Sequence, residues 1–206
     1  MNSPSQLLVM KFGGTSMGTA ERIKVAARLT AEQHAKRPVA IVVSAMSKVT
    51  DLLLDTMRKA EAGDEAGVDK NLETLREKHL ACCQELLPAG FQESTIDGVN
   101  GLVAEFERVV RGMMLLGERP LSSVDRAVAI GERLSALMIA AYLESQEVKA
   151  SAVNAATVIA TDAVFGNATP LMDETRKRAT EVLGPLFAQN VIPRSEEHTS
   201  ELPVTW

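Results

Sequence analysis

Aromatic side chains are scarce in this 206-residue chain, at 3% of positions, and its single tryptophan is the last residue, Trp206. Cysteine is nearly absent. Cys82 and Cys83 are the only two, and adjacent residues seldom meet disulfide geometry. Two thiols build no disulfide framework, so a small secreted scaffold is excluded and a reducing compartment, the cytoplasm, is expected. The pair reads as two small apolar side chains on a helix rather than a redox centre. Basic residues are not in excess: 22 Lys and Arg stand against 27 Asp and Glu, for a net charge of −5. That balance carries no electrostatic footprint for nucleic acid or an anionic membrane, although a phosphate ligand needs only a local site. No apolar run approaches a membrane span, and Met1–Gln6 has neither the basic start nor the apolar stretch of a secretion signal. The remainder is ordinary for a globular protein with a buried core, at 46% hydrophobic and 24% charged residues.

Two compact apolar runs, Leu7–Met10 and Val39–Val43, are apolar at successive positions and read as parallel strands buried on both faces. Between them Ala20–Gln33 has the pattern of an amphipathic helix, which makes a βαβ unit with a right-handed crossover. A helical stretch follows. Helices are predicted over Asp51–Ala62, over Val68–Leu87 up to Pro88-Ala-Gly90, and after Ser94-x-x-Asp97, which has the form of a capping box. Another is predicted after Ser122-x-x-Asp125, with a stripe of Val124, Ala127, Gly131, Leu134, Met138 and Ala141 whose small residues allow a close neighbour. Val148–Val153 and Ala156–Ile159 read as short strands. Thr169-Pro170 starts a helix that Gly184-Pro185 kinks or ends, and Val191-Ile192 begins another strand. The order predicts a single-domain α/β sandwich with a helical excursion in its middle.

Most of the chemistry lies in Lys11-Phe12-Gly13-Gly14-Thr15-Ser16, at the carboxyl end of the first strand. Glycines let backbone N–H groups approach an oxyanion, a helix N-terminus adds partial positive charge, and Lys11 adds a full one. This is a phosphate or carboxylate site, or else a tight βα turn with a solvent lysine; it matches neither the P-loop nor the dinucleotide fingerprint. Ser44-Ala-Met-Ser47-Lys48-Val-Thr50-Asp51 ends the second strand on the same rim, with helix capping by Ser47 or Thr50 as the plain alternative. Gly131-Glu132-Arg133-Leu134-Ser135 puts a carboxylate within a helix, able to bind an ammonium or simply to pair with a surface cation such as Arg133. Thr161-Asp162-x-x-Phe165-Gly166 is a turn holding one of the few aromatics. His34 and His79 have no Cys or carboxylate at metal-ligand spacing and read as solvated helix positions, so no metal site is expected.

Lys11–Ser16 after an apolar strand, Val43–Thr50 after the next, Gly131–Ser135, and then Thr161-Asp162 with Phe165-Gly166 together resemble aspartate kinase, of the amino acid kinase superfamily. The resemblance runs from Leu7 to Pro193. It implies a three-layer αβα sandwich with a mainly parallel sheet, and transfer of the ATP γ-phosphoryl group to the side-chain carboxylate of L-aspartate. That reaction is the entry to lysine, threonine and methionine. By the same resemblance Lys11 is catalytic, and Lys11, Phe12, Gly13, Gly14, Thr15 and Ser16 bind the ATP phosphates. Ser44 and Thr50 line the aspartate pocket, Glu132 receives the substrate ammonium and Phe165 borders the pocket. Mg²⁺ would ride on the nucleotide, and the full-length parent would be a homo-oligomer. Other readings are a kinase of the same superfamily for glutamate or N-acetylglutamate, or a non-catalytic aspartate-binding fragment.

The resemblance stops after Pro193. The family's next Thr-Gly-Phe segment and its Thr-Thr-Thr-Leu-Gly-Arg-Gly-Gly-Ser-Asp stretch do not occur in this sequence. Arg194–Trp206 is polar and reads without strand character, and Arg194–Leu202 resembles the translation of a sequencing adaptor. The expectation is therefore a truncated kinase domain over residues 1–193, without its nucleotide-binding half or ACT domains, and a non-native or disordered tail over 194–206. Such a fragment is expected to be inactive by itself.

Overall fold

Leu8–Phe12 (β1) and Val39–Val43 (β2) pair in parallel, from Leu8 against Val39 to Phe12 against Val43, in a computed structural model that describes residues 6–162, 164–165 and 167–196. Between them runs Ala20–His34 (α1), opened by Thr19, whose hydroxyl accepts the Arg22 N–H at 3.3 Å. Its buried stripe is Ile23, Ala26, Ala27 and Thr30, small enough for close packing on the sheet. After β2 come Val49–Glu61 (α2), Glu65–Leu86 (α3), Ala89–Leu116 (α4) and Leu121–Ser145 (α5). Ala150–Val153 (β3), the single turn Ala155–Val158 (α6), Met172–Ala188 (α7) and Ile192–Glu196 (β4) follow.

The strands are all parallel, in the order β1-β2-β4-β3. The steps β1 to β2 and β2 to β3 run one way across the sheet, and β3 to β4 runs back. Right-handed crossovers then lay α1 and the helical excursion on one face and α7 on the other. The packing fits this: α1 touches α3 and α5, α5 lies along β2, β4 and β3, and α7 touches β4 and α6. The result is the expected α/β sandwich with a helical excursion. One contiguous core joins Ile41 and Ile192 of the sheet to Leu53, Leu75, Phe106 and Leu134 of the excursion. The second face is thinner. Val9 on the edge strand β1 is 59% exposed, and no residue of α7 is fully buried. Two-sided burial, expected of both strands, therefore fails for β1, because α7 lies over β4 at the far side of the sheet.

Several local expectations change. Ser94 opens no helix: α4 starts at Ala89, where the fixed φ of Pro88 suits a helix start and holds Leu87 extended, so α3 ends and α4 begins at one proline. Pro120 does the same for α5, leaving Ser122 and Asp125 inside the first turns. Thr169-Pro170 pairs with the chain at Thr161 instead of starting a helix, and α7 begins at Met172. Pro185 lies within the last turn of α7 without ending it. Ala156–Ile159 is a helical turn, capped by the Asn154 side chain, rather than a strand. The strand from Ile192 runs past Pro193, with Arg194 opposite Ile41 and Ser195 opposite Val42. A ladder uses backbone groups whatever the side chains, and Arg194 is buried, its guanidinium donating a hydrogen bond to the Ala136 carbonyl. The rest of the expected tail, 197–206, lies outside the described residues, as does Gly166.

His79 is the largest departure. It is fully buried in α3, where desolvation lowers its pKa to about 4, rather than solvated. Cys82 and Cys83 are buried free thiols, as expected, and burial pushes them up to about 11 and about 12. Among the described residues no helix is long and apolar enough to cross a membrane.

Candidate functional site

The four strands end on one rim. Loops leaving β1 and β2 turn to the α1 and α2 side, whereas the chain after β3 turns to the α7 side. The residues singled out in the sequence cluster around this rim.

The turn after β1 folds on itself: Ser16 and Met17 donate to the Gly13 carbonyl at 2.8 and 3.1 Å, and Gly18 donates to the Thr15 carbonyl at 3.4 Å. Fully buried Met17 anchors it from below, and Arg22 in the first turn of α1 donates to the Thr15 carbonyl at 2.7 Å. Among the described residues no protein acceptor takes the N–H of Gly14 or Thr15. Those two amides, at the end of a strand and ahead of α1, can therefore serve an anion. Lys11, Gly13, Thr15 and Ser16 are exposed, Gly14 is half-buried, and Phe12 turns into the core.

The turn after β2 is tied to the first. The Ser44 N–H donates to the Phe12 carbonyl at 3.0 Å, continuing the strand ladder by one residue. A Cβ on Gly14 would sit 3.0 Å from the Ala45 carbonyl oxygen, and one on Gly18 would sit 3.4 Å from the Ser47 Cβ. Only glycine allows the first of these approaches without displacing backbone. Neither Ser47 nor Thr50 caps α2. Lys48 holds that place in a left-handed conformation, φ 66°, with no side-chain cap bond. Thr50 and Ser47 are exposed and Ser44 is half-buried. Lys78 of α3 donates to the Ser47 carbonyl at 2.6 Å. Burial first, and the like charge of Lys48 second, lower the Lys78 pKa from its ordinary value.

The third motif reaches the same place from inside. A Cβ on Gly131 would come within 2.9 Å of the Ala45 Cβ and 3.1 Å of Val49 and Leu53. Ala45 is thus pressed by Gly14 on one side and Gly131 on the other. The next residue, Glu132, is only 7% exposed. Arg133 beside it bonds Glu105 at 2.8 Å.

Phe165 is placed elsewhere on the rim. It is 55% exposed and lines a cavity of about 360 Å³ with Arg126, Arg133, Asn154 and Asp162. Ser44, Thr50 and Glu132 are not among the described residues of its wall. Asp162 pins this loop by accepting the N–H groups of Thr169 at 3.0 Å and Val164 at 3.2 Å, which lower its carboxyl pKa. The structure therefore brings the glycine turn, the hydroxyl turn and Gly131, the residue before Glu132, together at Ala45, with Phe165 in a separate cavity. Sequence reasoning missed Gly18, Arg22 and Lys78. Gly18 had a signal, a third glycine closing the first motif; the two cations had none, because their roles are set by what they meet across the fold.

A family model described as the amino acid kinase family matches residues 6–197, past the expected junction at Arg194. Among curated relatives, the chloroplastic bifunctional aspartokinase/homoserine dehydrogenase 1 of Arabidopsis thaliana is 33% identical over 73% of this chain and 16% of its own length. The chloroplastic aspartokinase 3 of the same plant is 33% identical over 90% of this chain and 32% of its own length. The chain thus spans no more than about a third of these relatives. Among solved structures, Escherichia coli aspartokinase III in complex with lysine and aspartate superposes with a TM-score of 0.83 at 21% identity, over 93% of this chain and 41% of its own. The same enzyme in complex with aspartate and ADP gives 0.82, over 92% and 40%. At that identity the likeness establishes the fold.

Proposed function

The chain belongs to the amino acid kinase family, and we propose that it carries the phosphate- and aspartate-binding side of an aspartate kinase. The observation that carries this reading is the double contact at Ala45, which brings the glycine turn, the hydroxyl turn and the helix bearing Glu132 to one point of the rim. A site for an anionic phosphate donor and a zwitterionic acceptor needs those three parts together. Lys11 and the Gly14 and Thr15 amides would hold phosphoryl oxygens, while Phe12, Gly13 and Ser16 shape the turn that presents them. Glu132 would receive the substrate ammonium and Ser44 and Thr50 would offer hydroxyls to its carboxylates, while Phe165 lines a separate cavity and is given no part in this pocket.

In the proposed reaction an oxygen of the aspartate side-chain carboxylate forms a bond to the γ-phosphorus of ATP. The bond to the bridging oxygen breaks and its electron pair leaves with ADP, giving 4-phospho-L-aspartate. A carboxylate nucleophile has no proton to lose, so placement and charge neutralisation do the work and no general base is required. Lys11 lowers the charge on the transferring group. Mg²⁺ would ride on the nucleotide phosphates and add to the neutralisation of their charge. The nucleoside would be held by segments outside this sequence, with residues 1–193 as the N-terminal part of the kinase domain. The cytoplasmic, homo-oligomeric parent enzyme is part of the same proposal, and the two free buried thiols suit a reducing compartment.

Calorimetric titration of the purified chain tests this. L-aspartate is expected to bind and L-glutamate to bind at least about tenfold more weakly, because one extra methylene displaces the side-chain carboxylate. Equal affinity for both, or affinity for glutamate or N-acetylglutamate alone, would transfer the chain to another member of the family. ADP release with aspartate and ATP is expected to stay at background for the 206-residue chain.

A further inference from the structure

We infer that Lys78 is a positioning residue: its ammonium on α3 locks the Ser47 carbonyl and thereby holds the hydroxyl turn and the glycine turn in register. The inference rests on the functional reading above only for what the turns bind. Its geometry is independent. Lys78 lies 31 residues from Ser47 in the chain and reaches its carbonyl at 2.6 Å. Ser47 is also, with Ala45, a residue against which the glycine turn packs: a Cβ on Gly18 would sit 3.4 Å from its Cβ and one on Gly14 3.8 Å from its backbone nitrogen. One hydrogen bond from the helical excursion therefore fixes the hinge between the two turns.

The local backbone explains why this bond is needed. Lys48 is left-handed, so the chain reverses direction between Ser47 and the first turn of α2. The α2 ladder starts beyond that reversal, with Leu52 donating to the Lys48 carbonyl at 3.2 Å. The Ser47 carbonyl precedes this ladder and takes the lysine instead. The bond is charge-assisted, and Lys78 stands near Lys48 so that the turn is flanked by two cations. The sheet ties the two turns at their base, through the Ser44 N–H on the Phe12 carbonyl at 3.0 Å, and Lys78 acts three residues further along. The excursion thus does more than cover the sheet; through α3 it sets the separation of the two rim turns.

Amide hydrogen exchange on the 206-residue chain, with Lys78→Met and Lys78→Arg variants, tests the inference. Lys78→Met is expected to speed exchange about tenfold at Val49, Ser16 and Met17 while leaving the buried amides of α4 unchanged, and Lys78→Arg to restore slow exchange. A purely structural role would loosen α3 and its neighbours together. Unchanged exchange in both turns, or loosening spread evenly over the excursion, overturns the inference. Should Lys78→Met fail to fold, Lys78→Gln keeps a shorter donor and is expected to speed the same two turns. Titration with L-aspartate is the second arm. If the unaltered chain binds and Lys78→Met binds about tenfold more weakly, with Lys78→Arg recovering, the positioning role is supported. Binding equal in all three overturns it. Absence of aspartate binding in the unaltered chain overturns the functional reading, and the exchange result still decides the role of Lys78.

Discussion

Replacing His79 with leucine should remove a large part of the protein's sensitivity to mild acid. His79 lies in α3 with its Nδ1 2.7 Å from the Leu75 carbonyl. A carbonyl only accepts, so Nδ1 carries the hydrogen and Nε2 is left as a bare acceptor, buried without a hydrogen-bond partner. A proton arriving at Nε2 would create a charge in the helical core, which is why burial lowers the pKa from 6.5 to about 4. The unfolded chain takes up that proton near its ordinary pKa and the folded chain does not. Below about pH 6.5 the unfolded state therefore binds more protons, and stability falls as pH falls until about pH 4. Each unit of difference is worth about 1.4 kcal/mol, so the full window removes about 3 kcal/mol and the step from pH 7.5 to pH 5 about 2 kcal/mol. For a domain with about 5–15 kcal/mol in total that is a large loss. Leucine has nearly the same volume, takes no proton, and leaves the Leu75 carbonyl its helical acceptor role. Urea unfolding of both proteins at pH 7.5 and pH 5 measures the difference, and comparing variant with parent cancels the carboxylates that titrate in both. The variant should match the parent within about 1 kcal/mol at pH 7.5 and exceed it by about 2 kcal/mol at pH 5. Parallel pH profiles would refute the reasoning.

Gly131→Ala drives a methyl group to 2.9 Å from the Ala45 Cβ; thermal unfolding should report a loss of about 1–3 kcal/mol, and calorimetry a weaker grip on aspartate, because Glu132 moves with its helix. Lys48→Gly, at a φ of 66°, relieves a left-handed side chain worth about 1 kcal/mol and should raise the melting temperature by about 2–4 °C in a chain of this size. An unchanged or lower melting temperature would mean that the lysine side chain stabilises the turn by more than its backbone strain.

The strands and helices were legible wherever one periodicity ruled a segment. Val39–Val43 and the small-residue stripe of α5 had no competing signal, and both formed as read. The errors came where two local signals competed. Ser94-x-x-Asp97 has the chemistry of a helix start, but Pro88 had already started the helix six residues earlier, and a hydroxyl inside a running helix has no orphan amide to cap. The strand continuing through Arg194 was hidden for a different reason. A β-ladder satisfies backbone groups, so a polar segment can join it when the gap between β2 and β3 demands a partner. Buried His79 was hidden because one histidine on an amphipathic helix gives no hint of its face until the neighbouring helices are placed.

The candidate site divides along the same line. Its three motifs were legible because each is a local device: glycines where backbone must pass close, hydroxyls at a strand end, a carboxylate beside a small residue. Their meeting was legible only in part, since the order of the strands puts Phe12 beside Val43, whereas the approach of α5 depends on the helices between. Gly131 makes the case. In the chain it is one small residue in a stripe that could face any neighbour; in the fold it is the point where α5 touches Ala45, with Val49 and Leu53 close by. A β-carbon there would push α5, and Glu132 with it, away from the two turns. Distance along the chain hid the cations altogether. Arg22 acts seven residues away and Lys78 thirty-one, and nothing in the local pattern of either separates it from a solvent-facing charge. Residues that could touch a ligand were therefore legible as motifs, while those that hold the motifs to one another became legible only once the topology was known.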